Sequence, residues 1–125
     1  MASRHQIGYL RAMSKAHDPR PEPAALAAAI DPTDPAAILA GLIRCPSVTP
    51  QEGGALALLE ALLARQDFEV ARPVFSETGT EPVENLFARL GDDGPHLVFA
   101  GHTDVVPPGD LAAWSHGPFA ASIAG

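Results

Sequence analysis

Cysteine is almost missing from this 125-residue sequence; Cys45 is the only one. No internal disulfide can form, so a reducing compartment is the default. One thiol cannot build a thiolate zinc site either, so any metal here must rest on histidine and carboxylates. Beside Pro46, Cys45 reads as a small buried hydrophobe. Cations are also scarce: 8 Lys and Arg stand against 15 Asp and Glu, for a net charge of −7. The shortage is uneven. Arg4, Arg11, Lys15 and Arg20 against Asp18 leave the first twenty residues at +3 and the remainder at −10. A body that acidic repels phosphate, which argues against nucleic acid as a partner. No apolar run reaches the ~20 residues of a membrane-spanning helix, and no secretory apolar core is present. The expectation is a cytoplasmic protein without a membrane partner, although the basic, acid-free start up to Lys15 has some transit-peptide character. Internal repeats and a phosphate-cradling glycine loop are absent as well.

What is present is proline, 13 residues of it, and well-placed helix signals. His17 to Pro23 is punctuated by Pro19, Pro21 and Pro23, so it reads as extended or disordered. Ala24 to Ile30 fits a short helix ended by Asp31-Pro32. This extension is a linker, a tail, or the product of a start codon placed upstream of Met13; His5 and His17 in it read as solvated. A helix should begin at Asp34-Pro35, with Asp34 as cap and Pro35 at the first helical position. Ile38, Leu39, Leu42 and Ile43 form its apolar face, and Cys45-Pro46 ends it. Thr49-Pro50-Gln51-Glu52 fits a capping box for a second helix carrying Leu56, Leu59, Leu62 and Leu63 and closing near Arg65-Gln66.

Strands should follow. Phe68 to Phe75 alternates loosely, with Pro73 marking an edge or a bulge. Glu84 to Leu90 is the next strand. Gly91-Asp92-Asp93-Gly94-Pro95 supplies a five-residue turn into Leu97 to Ala100, which predicts an antiparallel hairpin. Asp92 and Asp93 are turn formers in that setting. His96 and His116 read as structural or loop residues, and Ala120 to Gly125 as the start of another strand. Trp114 and Phe119 give the intervening loop something to pack with.

The chemistry concentrates between Pro95 and Gly109. Leu97-Val98-Phe99-Ala100 has the composition of a buried strand, and Pro107-Pro108-Gly109 must turn. Between them stand Gly101, His102, Thr103 and Asp104. In an extended chain residues i and i+2 point the same way, so His102 and Asp104 share a side. A metal-bound imidazole commonly gives its second N–H to a carboxylate, which sets the tautomer. The bland reading of His-x-Asp is a strand-end histidine in a satisfied polar network. Ser47, His102 and Asp104 also hold the residue types of a nucleophilic triad, but Ser47 lacks a nucleophile-elbow context.

Gly101-His102-Thr103-Asp104-Val105-Val106-Pro107-Pro108-Gly109-Asp110, followed by Trp114 and Pro118-Phe119, resembles the first metal-ligand segment of the M20 family of zinc peptidases and deacylases. Arg44-Cys45-Pro46-Ser47-Val48-Thr49-Pro50 places the resemblance nearest its desuccinylases. The resemblance implies an α/β fold: the N-terminal part of a zinc-exopeptidase-like catalytic domain, two helices and then strands of a mixed central sheet, truncated. Residues 1–33 would be a flexible extension and 34–125 the front portion of the catalytic domain. It implies that His102 binds one ion of a centre of two divalent metals, zinc or cobalt, and that Asp104 orients that ring. The implied reaction is hydrolysis of a small-molecule amide, N-succinyl-LL-2,6-diaminopimelate, in lysine biosynthesis. The implied assembly is a homodimer formed through a domain outside this sequence. The family's bridging aspartate in a G-R-G-x-x-D-M-K-G segment, its general-base glutamate and its last histidine do not occur here. The isolated chain is therefore expected to show no turnover and at most weak metal binding. Acetylornithine deacetylases and aminoacylases share the His-x-Asp and the Trp-to-Pro-Phe loop, so they remain alternatives. A non-catalytic α/β module completed by a partner strand is the alternative outside enzymes.

Overall fold

The computed structural model describes residues 22–124. The expectations for Arg4, His5, Met13 and His17 lie outside them. Helix α1, Pro23–Ala29, starts with Pro23 in its first turn, where the missing N–H costs nothing. It ends at Ile30, and Asp31 then makes a tight turn: its Oδ1 accepts from Thr33 N at 2.8 Å and from Thr33 Oγ1 at 2.7 Å. Helix α2, Pro35–Ile43, follows with the expected cap, Asp34 Oδ1 accepting from Ala36 N at 2.9 Å and Ala37 N at 3.2 Å.

Helix α3, Ala55–Ala64, carries the predicted leucines, but it begins later than a capping box at Thr49 requires. Gly53 and Gly54 take positive φ values of 59° and 93°, which end the preceding loop and start the helix afresh. Thr49 does not cap; its hydroxyl is engaged elsewhere in the chain. Glu52 supplies the cap from one turn upstream, accepting from Leu56 N at 2.9 Å.

The core lies among these three helices. Ala27, Ile30, Cys45, Ala55, Leu58 and Leu62 form one buried cluster, with Leu58 wholly inaccessible. Cys45 is the buried hydrophobe the sequence predicts. Arg65 stitches α1 to α3 by donating from Nη1 to the carbonyls of Ala27 and Ile30. Packing does not break at residue 33, because Ala27 and Ile30 of the expected extension are part of the cluster. The described part of that extension, 22–33, is therefore folded against α3.

After α3 the chain forms one long hairpin in two pieces. Strand β1, Glu69–Ala71, pairs antiparallel with β4, Phe87–Arg89, and β2, Val74–Phe75, pairs with β3, Val83–Glu84. The break falls at Arg72-Pro73, as proline demands, and Asn85 N spans it by donating to Pro73 O at 2.8 Å. At the kink Arg72 turns toward α3, pairing with Glu84 at 2.8 Å and with Glu60 at 3.0 Å.

The predicted hairpin partner is corrected. Residues 84–90 pair with 68–75, not with 97–100. Leu97, Val98 and Phe99 belong to no ladder and stand 81%, 76% and 88% exposed, so this run is not a buried strand in the chain. Residues 120–124 form no strand either, with Ile123 89% exposed. β-propensity describes what a segment can pair with, and neither segment meets a partner edge among the described residues. The fold is a small α/β arrangement with antiparallel strands, and the sole parallel contact among the described residues is an isolated bridge between Val48 and Val105. No helix among the described residues is long and apolar enough to cross a membrane.

Candidate metal centre

The parallel bridge makes the site. Cys45-Pro46-Ser47-Val48 leaves α2 and passes under Gly53, whose missing side chain is required: a Cβ there would lie 2.5 Å from Pro46 C and O. Val48 is 1% exposed and Ser47 3%, so this segment is rooted in the helical core. Residues 103–105 lie alongside it. Val105 N donates to Ser47 O at 2.9 Å, and Thr49 N donates to Val105 O at 3.1 Å. Ser47 Oγ donates to Thr103 O at 2.6 Å, so the buried hydroxyl serves the backbone and is not placed as a nucleophile.

His102 and Asp104 share a side, as an extended chain requires. His102 Nδ1 lies 2.9 Å from Asp104 O and 3.2 Å from Asp104 Oδ1. Both partners are acceptors, so Nδ1 carries a proton, and in the neutral ring Nε2 then presents the lone pair. The ring is 84% exposed, and among the described residues nothing hydrogen-bonds Nε2. The other carboxylate oxygen, Asp104 Oδ2, accepts from Thr49 Oγ1 at 2.6 Å. That bond, followed by the one from His102, outweighs slight desolvation and holds the Asp104 carboxyl below its ordinary range.

These groups border an open cleft of about 420 Å³. Glu52 and Glu84 stand on its rim with His102 and Asp104, while Leu56 and Phe99 give it an apolar wall. The donor set fits one corner of a metal site: an imidazole nitrogen with no partner among the described residues and a carboxylate behind the ring. Among the described residues no three His, Cys, Asp or Glu side chains gather closely enough to hold an ion by themselves. His96 and His116 do not join the site. Asp92 stays a turn residue, accepting from Arg89 Nη2 at 2.7 Å. Trp114 closes the turn after the site by donating from Nε1 to Pro108 O at 2.9 Å.

The sequence places His102 and Asp104 on one side of the chain, as the structure has them, but carries no sign of the Thr49 bond to Asp104. Its Pro-Ser-Val-Thr-Pro context was visible, but the capping-box reading accounted for the hydroxyl locally. The 55-residue separation from Asp104 leaves no periodic signal to correct it.

No family model matches the chain. Curated relatives do. It is 69% identical over 85 residues to succinyl-diaminopimelate desuccinylase of Methylobacterium nodulans, covering 68% of this chain and 22% of the relative. It is 65% identical over 91 residues to the enzyme of the same name from Methylobacterium sp. (strain 4-46), covering 73% and 23%. The corresponding protein of Methylorubrum extorquens (strain PA1) is 61% identical over 90 residues, covering 72% and 23%. The chain thus spans just under a quarter of the length of the relatives it matches. By sequence it belongs, as a segment of that extent, to the family of the succinyl-diaminopimelate desuccinylases.

Proposed function

We propose that this chain carries the first metal-ligand segment of a metal-dependent amide hydrolase. The reaction of the whole protein is hydrolysis of N-succinyl-LL-2,6-diaminopimelate to succinate and LL-2,6-diaminopimelate, a step of lysine biosynthesis in the cytoplasm. The observation that carries this reading is the His102 ring at the cleft, with Nδ1 bonded to Asp104 and the ring 84% exposed. The desuccinylase names of relatives 61–69% identical support the substrate.

Two divalent ions, zinc or cobalt, would supply carbonyl polarisation and a water acidified to near-neutral pKa. Within this chain, His102 would hold one of them through Nε2. Asp104 keeps the ring in the required tautomer and adds negative charge behind it, strengthening the donor. The Val48–Val105 bridge sets the position of both residues relative to the helical core. The whole protein works as a homodimer through a domain outside these residues.

The test is an assay on protein extended to the full length of its relatives, with N-succinyl-LL-2,6-diaminopimelate and N-acetylornithine side by side. Turnover of the succinylated substrate alone is expected. His102→Ala should abolish it, and Asp104→Ala should reduce it by roughly 10–100-fold. Preference for N-acetylornithine would assign the chain to the deacetylase branch. Full activity in folded His102→Ala protein would remove the metal role.

A further inference from the structure

One oxygen of Asp104 faces His102, and the other has a separate partner. Asp104 Oδ2 lies 2.6 Å from Thr49 Oγ1, the length of a charge-assisted bond to a carboxylate. The same hydroxyl has a second contact, Val105 O at 3.4 Å, which is too long to compete for its single proton. We propose that Thr49 is a positioning residue: its hydroxyl holds Asp104 so that the carboxylate keeps His102 in the Nδ1–H tautomer, with Nε2 free for a divalent cation. This rests on the His102–Asp104 pairing of the proposed function and extends it to a residue outside the His-x-Asp motif.

The geometry supports a built relay. Thr49 and Asp104 meet because three hydrogen bonds fix the 47–49 and 103–105 segments in parallel register: Thr49 N to Val105 O, Val105 N to Ser47 O, and Ser47 Oγ to Thr103 O. One side of that ladder is anchored by buried Ser47 and Val48. The other side is exposed, and the Asp104 side chain is 51% accessible. An aspartate so placed has free rotation about its side-chain bonds unless something holds it. Thr49 is the group that ties it to the rigid side. The ordering therefore passes from the helical core through Val48 and Thr49 to Asp104 and then to the imidazole.

The experiment reads the ring nitrogens of His102 by long-range proton–nitrogen NMR in the metal-free chain, near about pH 8.5 where a free imidazole is neutral. Wild type, Thr49→Ser, Thr49→Val and Asp104→Asn are compared. Thr49 is exposed and valine matches its shape, so the fold tolerates the change. Wild type and Thr49→Ser should show the Nδ1–H tautomer. In Thr49→Val the ratio should move toward Nε2–H by roughly three- to tenfold, the factor one hydrogen bond supplies. A wild-type ratio in Thr49→Val, with the ratio changed in Asp104→Asn, overturns the proposal while leaving the His102–Asp104 pairing standing. A shift in Thr49→Ser equal to that in Thr49→Val also overturns it, because the hydroxyl would not be the cause. An unchanged ring in Asp104→Asn leaves the Asp104 backbone carbonyl, 2.9 Å from Nδ1, as the group that sets the tautomer, and removes the carboxylate's part and the relay with it.

Discussion

Two stretches of similar apolar character meet different fates in this chain. Between Ala27 and Leu62, three short helices and the segments joining them bury eight apolar residues, and Leu58 has no accessible surface. Between Leu97 and Val106 the run is no less apolar, yet Phe99 stands 88% and Val106 80% exposed. The helical stretch satisfies its own backbone and needs only neighbouring helices to cover one face. The second stretch has extended backbone whose donors and acceptors need an edge, and whose side chains need a second layer. Hydrophobicity states a preference; burial also needs a partner within reach. The candidate site lies on the seam, with Val48 and Thr49 on the packed side and His102 and Asp104 on the open side.

The sharpest way to break this comparison is to truncate one side chain in each region. Leu58→Ala should lower the unfolding free energy by about 3 kcal/mol, a large part of the stability of so small a core. Phe99→Ser should change it by no more than about 0.5 kcal/mol, because the ring is already in solvent. Urea denaturation followed by circular dichroism measures both. Equal losses would mean that the second region is covered in solution and that the contrast is false.

The seam itself depends on a glycine. Gly53→Ala should cost about 2 kcal/mol, from a positive φ of 59° and a Cβ 2.5 Å from the Pro46 backbone. Gly79→Ala, at φ 89° with nothing within 4 Å, should cost only the strain of the left-handed conformation, about 1 kcal/mol. Amide exchange at Val105, whose N–H is bonded to Ser47 O, should accelerate in the first variant only. Equal acceleration in both would separate the bridge from Pro46.

These contrasts also show how far the residues could be read unfolded. Pro35–Ile43 was legible because Asp34, Pro35 and the spacing of Ile38, Leu39 and Leu42 are all local signals. The leucine helix was legible in its body, but its start was not. A Thr-x-x-Glu pattern resembles a cap whether or not the threonine is free to serve, and Thr49 is committed 55 residues away. The hairpin's partner is not legible, because strand composition carries no record of which edge is nearer. His102 and Asp104 were legible because an i, i+2 relation survives in any extended chain. Their exposure was not, since that depends on neighbours outside the motif.

A smaller effect lies at the kink inside the hairpin, where it faces α3. Arg72, 20% exposed, sits among Glu84 at 2.8 Å, Glu60 at 3.0 Å and Glu52 at 3.9 Å. Burial works to lower its pKa, but the bonds to Glu84 and Glu60 outweigh that and raise it, so the cation is secure. Arg72→Met leaves three carboxylates facing one another and should cost about 1.5 kcal/mol, between the values for exposed and buried pairs. The loss should shrink as salt is added, and Glu60→Gln in the same protein should recover part of it. A salt-independent loss would locate the contribution of Arg72 in packing of its stem.

The smallest expected effect compares two aspartates bound by threonine hydroxyls, one local and one across the seam. Asp31 receives both the backbone N–H and the hydroxyl of Thr33, two residues on, whereas Asp104 receives Thr49 across the parallel bridge. Thr33 holds the Asp31 carboxyl below its ordinary 3.8, first through its N–H and then through its hydroxyl. A carboxyl whose folded pKa is depressed contributes stability above its unfolded value, and that stability is lost as pH falls through the folded value. Asp31→Asn keeps an acceptor for Thr33 and cannot titrate. Its stability should therefore decline less steeply than that of wild type as pH falls from about 5 to about 2, leaving the contribution of Asp104 in both proteins. Identical slopes would show that the turn before α2 binds Thr33 equally well with and without the charge. Ionisation would then matter more at the seam, where the carboxylate is held first by a hydroxyl from the other region.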